Sequence, residues 1–433
     1  MPFETFGGAT RRVAVIGGGI SGLGAAHLLS KTHSVVLFEA EKRLGGHART
    51  VIAGRNGDQP VDTGFIVFNR VNYPNLVRLF EDLDVPVAES NMSFGASFDG
   101  GRFEYALRDV NALTAQRSNV LRPGYLRMLR DILKFNRDAP RLADDPNLTI
   151  RGLLERLGTG RWFCDYYILP FSGAIWSTPK HKVLDFPAQT LVRFFENHAL
   201  MSNSGQHQWF TVKGGSVEYV RRLANSLEHS GVELRTGTSV SAVQRMRGGV
   251  LIKTPGGEWE PFDDVVFATH SDITLGILSD ASPVEARALG AVRFQPNEAV
   301  LHADASLMPK RRPCWSSWNY TEGAEPAAED RVDLTYWMNS LQPIPNDDPM
   351  FVTLNNTRRI REDLIYDIVQ FDHPVYDLDA QWGREKLARL QGQQNTWFCG
   401  AWMKNGFHED GLSSSVDVVA AMADRYALPI AAQ

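Results

Sequence analysis

Apolar and polar positions follow three rhythms along this chain. From Arg12 the order is an unbroken apolar run, Val13-Ala14-Val15-Ile16, then Gly17-Gly18-Gly19-Ile20-Ser21-Gly22, then helical spacing from Leu23 to Lys31, then Ser34-Val35-Val36-Leu37-Phe38-Glu39. Short continuous apolar runs bounded by turn residues predict strands buried on both faces, so this segment reads strand, glycine turn, helix, strand. Residues 91–106 alternate around Asp99-Gly100-Gly101 and predict a hairpin, and residues 297–356 give aromatic and β-branched runs separated by Pro, Gly and charge. Residues 108–200 are mainly helical in pattern. No repeat and no low-complexity tract interrupts them.

The glycine turn carries the first chemistry. Gly17, Gly19 and Gly22 form G-x-G-x-x-G between a strand and a helix, which places backbone N–H groups of Ile20 and Ser21 at a helix N-terminus suited to a pyrophosphate. Glu39 ends the second strand 22 residues after Gly17, followed by Ala40, where a carboxylate can accept hydrogen bonds from a ribose diol. A dinucleotide site is expected. Within four residues of Glu39 comes Arg43-Leu44-Gly45-Gly46-His47-Ala48-Arg49-Thr50, whose double glycine lets backbone N–H groups and a cation approach a second phosphate face. Val61-Asp62-Thr63-Gly64-Phe65 follows.

These residues resemble the R-x-G-G-R-x-x-T and D-x-G elements of the flavin-containing amine oxidase superfamily, and the resemblance implies FAD. It extends well beyond the first 70 residues. Val212-Lys213-Gly214-Gly215-Ser216 is similar to a central glycine-doublet element of the family, Val240 stands where relatives contact adenine through main-chain atoms, and Asp264 to Thr269, with Ala268 and Thr269 at its end, resembles the strand returning to the nucleotide. Trp397-Phe398-Cys399-Gly400-Ala401 and Gly411-Leu412-Ser413-Ser414-Ser415 resemble the C-terminal flavin-binding element. The phrases RLGGHART, AIWSTP, RFFENH, WFTVKGGS and NGFHEDG resemble a subgroup related to the N-terminal region of plant cyclopropane fatty acid synthases.

The resemblance implies an α/β fold of amine-oxidase type. Residues 1–70, 210–290 and 395–433 are expected to build a Rossmann-like FAD-binding domain, interleaved with a substrate domain from 71–209 and 291–394 that combines a mostly antiparallel sheet with a helical cap. Two departures stand out. His47 replaces the second arginine of the family pattern, leaving Arg43, with Arg49, to neutralise the pyrophosphate. The segment Gln295 to His302, counterpart of a strand that carries a flavin-proximal lysine in many amine oxidases, has none.

Composition narrows the partners. The 433 residues carry 45 basic and 50 acidic side chains, so no overall field collects nucleic acid. Cys164, Cys314 and Cys399 are far apart and odd in number, which argues for reduced thiols and non-covalent flavin. No segment reads as a signal peptide or as the 18 or so apolar residues of a membrane span, and the expected address is cytoplasmic, with a peripheral option. The histidines show no metal-ligand spacing, so no metal is expected.

Flavin chemistry asks little of side chains beyond orientation and electrostatics. A helix opening at Gly411 can aim its N-terminus at the flavin edge, which places His408 and Glu409 as candidate acid–base groups and Asp410 as the helix cap. Ile175 to Pro179 and Trp315 to Tyr320 are candidate linings of an apolar tunnel, or core. Residues 122–137 place Tyr125, Leu129, Ile132 and Leu133 at helical spacing among arginines and Lys134. That helix is either a lipid-facing surface or a cap helix with a solvated basic face. The expected activity is FAD-dependent dehydrogenation or oxidation of an apolar substrate, a methylated, cyclopropanated or unsaturated fatty acyl chain. The alternatives are an amine oxidase releasing hydrogen peroxide and a flavin-loaded accessory to a lipid methyltransferase.

Overall fold

The computed structural model describes residues 10–145, 147–176, 180–198, 200–201, 207–323 and 333–426. The apolar runs near the N-terminus become the centre of a five-stranded parallel sheet in the order Glu233–Arg235, Ser34–Phe38, Arg12–Ile16, Asp264–Phe267, Thr396–Phe398. Val13, Ala14 and Val15 are fully buried because both faces of the sheet are covered. On one face lie the helices Ile20–Leu29, Val217–His229 and His408–Tyr426. On the other lie an antiparallel meander, Ala242–Met246, Gly249–Lys253 and Glu260–Phe262, and the helices Pro283–Ala291 and Leu378–Leu390.

The second unit is a seven-stranded sheet in the order Ile365–Pro374, Phe294–His302, Phe351–Leu354, Leu334–Trp337, Trp318–Thr321, Phe94–Phe98, Phe103–Ala106. Every pairing between neighbours is antiparallel except Trp318–Thr321 with Phe94–Phe98. The hairpin expected at 91–106 is its edge. Helices Pro123–Leu142, Ile150–Leu157, Leu169–Trp176 and Ala188–Asn197 cap it, around an aromatic core that includes Tyr105, Tyr125, Phe135, Phe163 and Phe195. Within this cap, Thr149 Oγ1 accepts the Gly152 N–H and Gly158 takes the left-handed conformation, so Ile150–Leu157 is closed at both termini.

Two helices placed by sequence in the substrate unit pack in the dinucleotide unit instead. Pro74–Asp82 contributes Leu76, Leu79 and Phe80 to the core beneath the helix Ile20–Leu29, and Leu378–Leu390 contributes Ala380 and Leu387 to the opposite core. No helix among the described residues is long and apolar enough to cross a membrane.

Candidate functional site

At the carboxyl ends of the parallel strands the glycine turn is packed too tightly for side chains. A Cβ on Gly22 would lie 1.8 Å from the Gly17 carbonyl oxygen, and Gly17 itself has φ +109°. Gly19 caps the helix Ile20–Leu29 with no side chain over its N-terminus, so the first-turn N–H groups of Ile20 and Ser21 face outward from a backbone cradle. The Glu39 carboxylate sits beside it, accepting the Gly18 N–H at 2.6 Å and the Glu41 N–H at 2.7 Å. A carboxylate has about four acceptor positions, so two stay open for a diol. Ala40 follows at the exposed strand end, and Val240 is buried behind Ile16 and Phe38. Ala268 continues the strand Asp264–Phe267 by donating to the Ile16 carbonyl, and the Thr269 carbonyl accepts from Trp402 Nε1. These residues fit a dinucleotide.

The second loop crosses directly over the first. The Gly45 N–H donates to the Gly18 carbonyl, and a Cβ on Gly46 would meet Gly19 Cα at 3.1 Å. Arg43 fastens this loop through the carbonyls of Gly46 and Ala48 and pairs with Glu41. Arg49 does not face the cradle: both guanidinium ends are held by Asp367, at 2.6 and 3.1 Å. His47 is therefore the side chain next to the double glycine that points into the cleft, against Phe371 and two further imidazoles, His270 and His373, with ring centres 5.8 and 5.7 Å away. Burial, then the neighbouring imidazoles of His373 and His270, hold His47 well below the ordinary histidine range. Asp62, the aspartate of the D-x-G element, is fully buried and accepts from Thr50 Oγ1, the Ser216 N–H and Oγ, and Gln342 Nε2. One carboxylate thus ties together the first hairpin, the glycine doublet at 214–215 and the substrate unit.

The C-terminal element completes the wall. Gly400 donates to Ser414 Oγ, and Ser415 Oγ donates to the Ser21 carbonyl, which seats the helix His408–Tyr426 against the helix Ile20–Leu29. Gly411 meets Ile20 and Ser21, Leu412 packs over Gly24, Ser413 Oγ accepts from Lys404 at 2.5 Å, and the Ala401 carbonyl accepts from the Lys404 and Gly406 N–H groups. The helix begins at His408, one turn before the expected start, and this separates the two candidate acid–base residues. His408 stacks on Phe65 at 3.9 Å and its Nε2 lies 2.6 Å from the Tyr219 hydroxyl. Burial pushes the imidazole down to about 3. Glu409 turns the other way and caps the helix Pro74–Asp82, accepting the Asn75 N–H, Asn75 Nδ2 and the Leu76 N–H. Its carboxylate is held by Asn75 and the helix N–H groups, an arrangement of a helix cap rather than of the acid–base group expected there. Asp410 accepts the Phe407 N–H at 2.9 Å and is pushed up to about 6 by burial.

Several wall residues had no motif to announce them. Phe407 stacks on Phe194 at 4.9 Å, Trp176 meets Phe194 at 5.4 Å, and the buried Tyr376 hydroxyl lies against Gly406. Asn297 Nδ2 is 3.0 Å from His373 Nδ1 in the strand pair that lacks the expected lysine. Among the cleft imidazoles His270 carries a positional signal, since it stands just past a parallel strand, where open α/β sheets bind ligands. Ser177 to Pro179 of the expected lining lie outside the described residues, and Trp315 stacks under Arg312 and against Trp337 in a cluster of its own. Cys399, adjacent to Gly400, is buried and its thiol is pushed up to about 12 by that burial.

Comparison with known proteins agrees with this geometry. A CLA-producing fatty acid isomerase from P. acnes superposes with a TM-score of 0.68 at 16% identity over 95% of this chain and 98% of that one. Cyclohexylamine oxidase from Brevibacterium oxydans IH-35A does so with 0.65 at 15% identity over 97% and 100%. An L-amino acid oxidase from Cerastes cerastes is 51% identical over 41 residues, which span 9% of this chain and 8% of that oxidase. The flavin-containing amine oxidoreductase family matches residues 20–304, and the chain belongs to it as an FAD-dependent oxidoreductase.

Proposed function

We propose that the protein dehydrogenates or oxidises an apolar substrate, a methylated, cyclopropanated or unsaturated fatty acyl chain. The observation that carries this reading is the wall in front of the helix His408–Tyr426. It is built from Phe65, Phe407, Phe194 and Trp176, together with imidazoles that burial keeps neutral. The charged groups around it are engaged within the protein: Lys404 with Asp417 and Ser413, Glu409 with the neighbouring helix, Asp410 with the Phe407 N–H and Arg384 with the Lys404 carbonyl. A charged substrate would enter such a wall at a large desolvation cost, with Asp410, itself pushed up to about 6 by burial, as the nearby carboxylate. An acyl chain would not. That a protein of the same fold is a fatty acid isomerase, and that RLGGHART and NGFHEDG resemble a subgroup related to cyclopropane fatty acid synthases, both support the substrate class.

Bound FAD supplies the hydride acceptor. Among the protein's own groups, Tyr219 keeps its phenolic proton, because burial raises its pKa, and it fixes His408 through Nε2. With the phenol as donor, the imidazole proton sits on Nδ1, which has no hydrogen-bond partner among the described residues. His408 is then a pre-set neutral donor at the cleft. Anaerobic mixing of the flavin-loaded protein with a panel of modified acyl chains and a panel of amines tests the reading. Bleaching of flavin absorbance by an acyl chain is expected. Bleaching by amines alone would establish the amine-oxidase alternative, and none by either panel the accessory role.

A further inference from the structure

The cap helix Pro123–Leu142 buries one face and leaves the other without a protein partner among the described residues. Tyr125, Met128, Phe135 and Ala139 enter the cap core, and Gly124 is pressed against Trp162. The opposite face carries Leu126 and Leu133, 51% and 56% exposed and seven residues apart, so they stand two turns apart on one line. Arg127, Arg130, Arg137 and Arg141 surround them on the same side, while Lys134 at the margin donates to the Leu157 carbonyl of the cap. The turn Arg117–Leu121 that feeds this helix adds Leu121, 82% exposed.

Charge separates this surface from the rest of the molecule. Residues 102–141 contain nine Arg and Lys against four Asp and Glu, and two of those acids, Glu104 and Asp131, are buried. The protein as a whole is net −5, so this stretch is a basic island on an acidic background. Arg130 and Arg137 pair only with the acid next to them in sequence, and Arg117, Arg127 and Arg141 have no ion pair among the described residues. A phosphate-rich polymer would satisfy the cations but leave the leucines in water. A bilayer surface with anionic headgroups satisfies both, because cations meet lipid phosphate while leucines enter the acyl boundary.

We propose that this face docks the protein on an anionic lipid bilayer, with Leu121, Leu126 and Leu133 inserted at the headgroup boundary. The docking stands on this surface alone and holds whatever the substrate is, since flavin bleaching tests the substrate separately. Sedimentation of the flavin-loaded protein with vesicles of phosphatidylcholine plus phosphatidylglycerol, beside vesicles of phosphatidylcholine alone, reads it directly. The protein should pellet with the first and stay in solution with the second. Leu126→Ser with Leu133→Ser should weaken binding about tenfold or more, and Arg127→Gln with Arg141→Gln roughly fivefold per charge removed, with flavin content and Tm unchanged. Failure to pellet with anionic vesicles, equal pelleting with both kinds, or wild-type binding by the leucine variant overturns the proposal.

Discussion

His408 and Glu409 are adjacent in sequence and serve different parts of the molecule. About 100° of helix rotation separates adjacent side chains, so when the helix starts at His408 the imidazole faces Phe65 and the carboxylate faces the helix Pro74–Asp82. Glu409→Gln should therefore cost about 1–2 kcal/mol of stability, a Tm fall of roughly 1–2 °C, and leave the rate of flavin reduction per bound flavin unchanged. His408→Ala should remove a hydrogen-bond donor and slow that reduction roughly 5 to 30-fold while keeping FAD bound. Thermal melts and anaerobic stopped flow on both variants check this, and a slowed Glu409→Gln with an unchanged melt would restore the carboxylate to the chemistry. Sequence located this pair because Gly406 and Gly411 punctuate the segment around it; it could not aim the side chains, since a lead-in loop can turn both the same way whereas the first turn of a helix sets them about 100° apart. The same limit applies to Arg49, whose partner Asp367 lies 318 positions away.

At the level of elements, motifs marked the strand–turn–helix at Arg12–Phe38 and the glycine doublets, because tight backbone crossings demand glycine in a recognisable order. What no local pattern contained was the junction at Asp62, where Thr50, Ser216 and Gln342 converge from three separate stretches of sequence. Asp62→Ala would strand these buried donors without an acceptor, at a cost of about 3–5 kcal/mol. The expected outcome is a Tm lower by roughly 3–6 °C, while Thr50→Val alone should lose far less because the donors from Ser216 and Gln342 remain. Equal melts for wild type and Asp62→Ala would show that the junction is dispensable. Amphipathic helices such as Pro74–Asp82 were legible as helices, but an apolar stripe does not say which of two adjoining cores receives it.

Over the whole molecule, histidines dominate the response to acid. His27, His33, His47, His198, His270, His302, His373 and His408 are all held below the ordinary value of 6.5, chiefly by burial, with His198, His302 and His373 near about 4. The unfolded protein binds protons as pH falls through 6.5 and the folded protein does not, so stability present above that pH is lost progressively toward about 4. Asp62 and Asp410, pushed up to about 6, and Glu409 and Asp333, also raised by burial, act in the opposite sense at low pH, but they are four against eight. Flavin-free protein should melt more than about 5 °C lower at pH 5 than at pH 7.5, and a flat or rising melt on acidification would contradict the buried neutral histidines.

The order of strands in the parallel sheet also sets a timetable. Arg12–Ile16 lies between Ser34–Phe38, made almost at once, and Asp264–Phe267, made some 250 residues later, and the helix Ile20–Leu29, which shares its core with Pro74–Asp82 and Val217–His229, gains its last partner with His408–Tyr426. At about 5–20 residues per second of synthesis, the strand edge stays open for roughly 12–50 s and the helix waits roughly 20–80 s for that last partner. A segment made early is thus sealed late, which makes the nascent polypeptide a natural client of chaperones and gives the helix His408–Tyr426 the part of a latch.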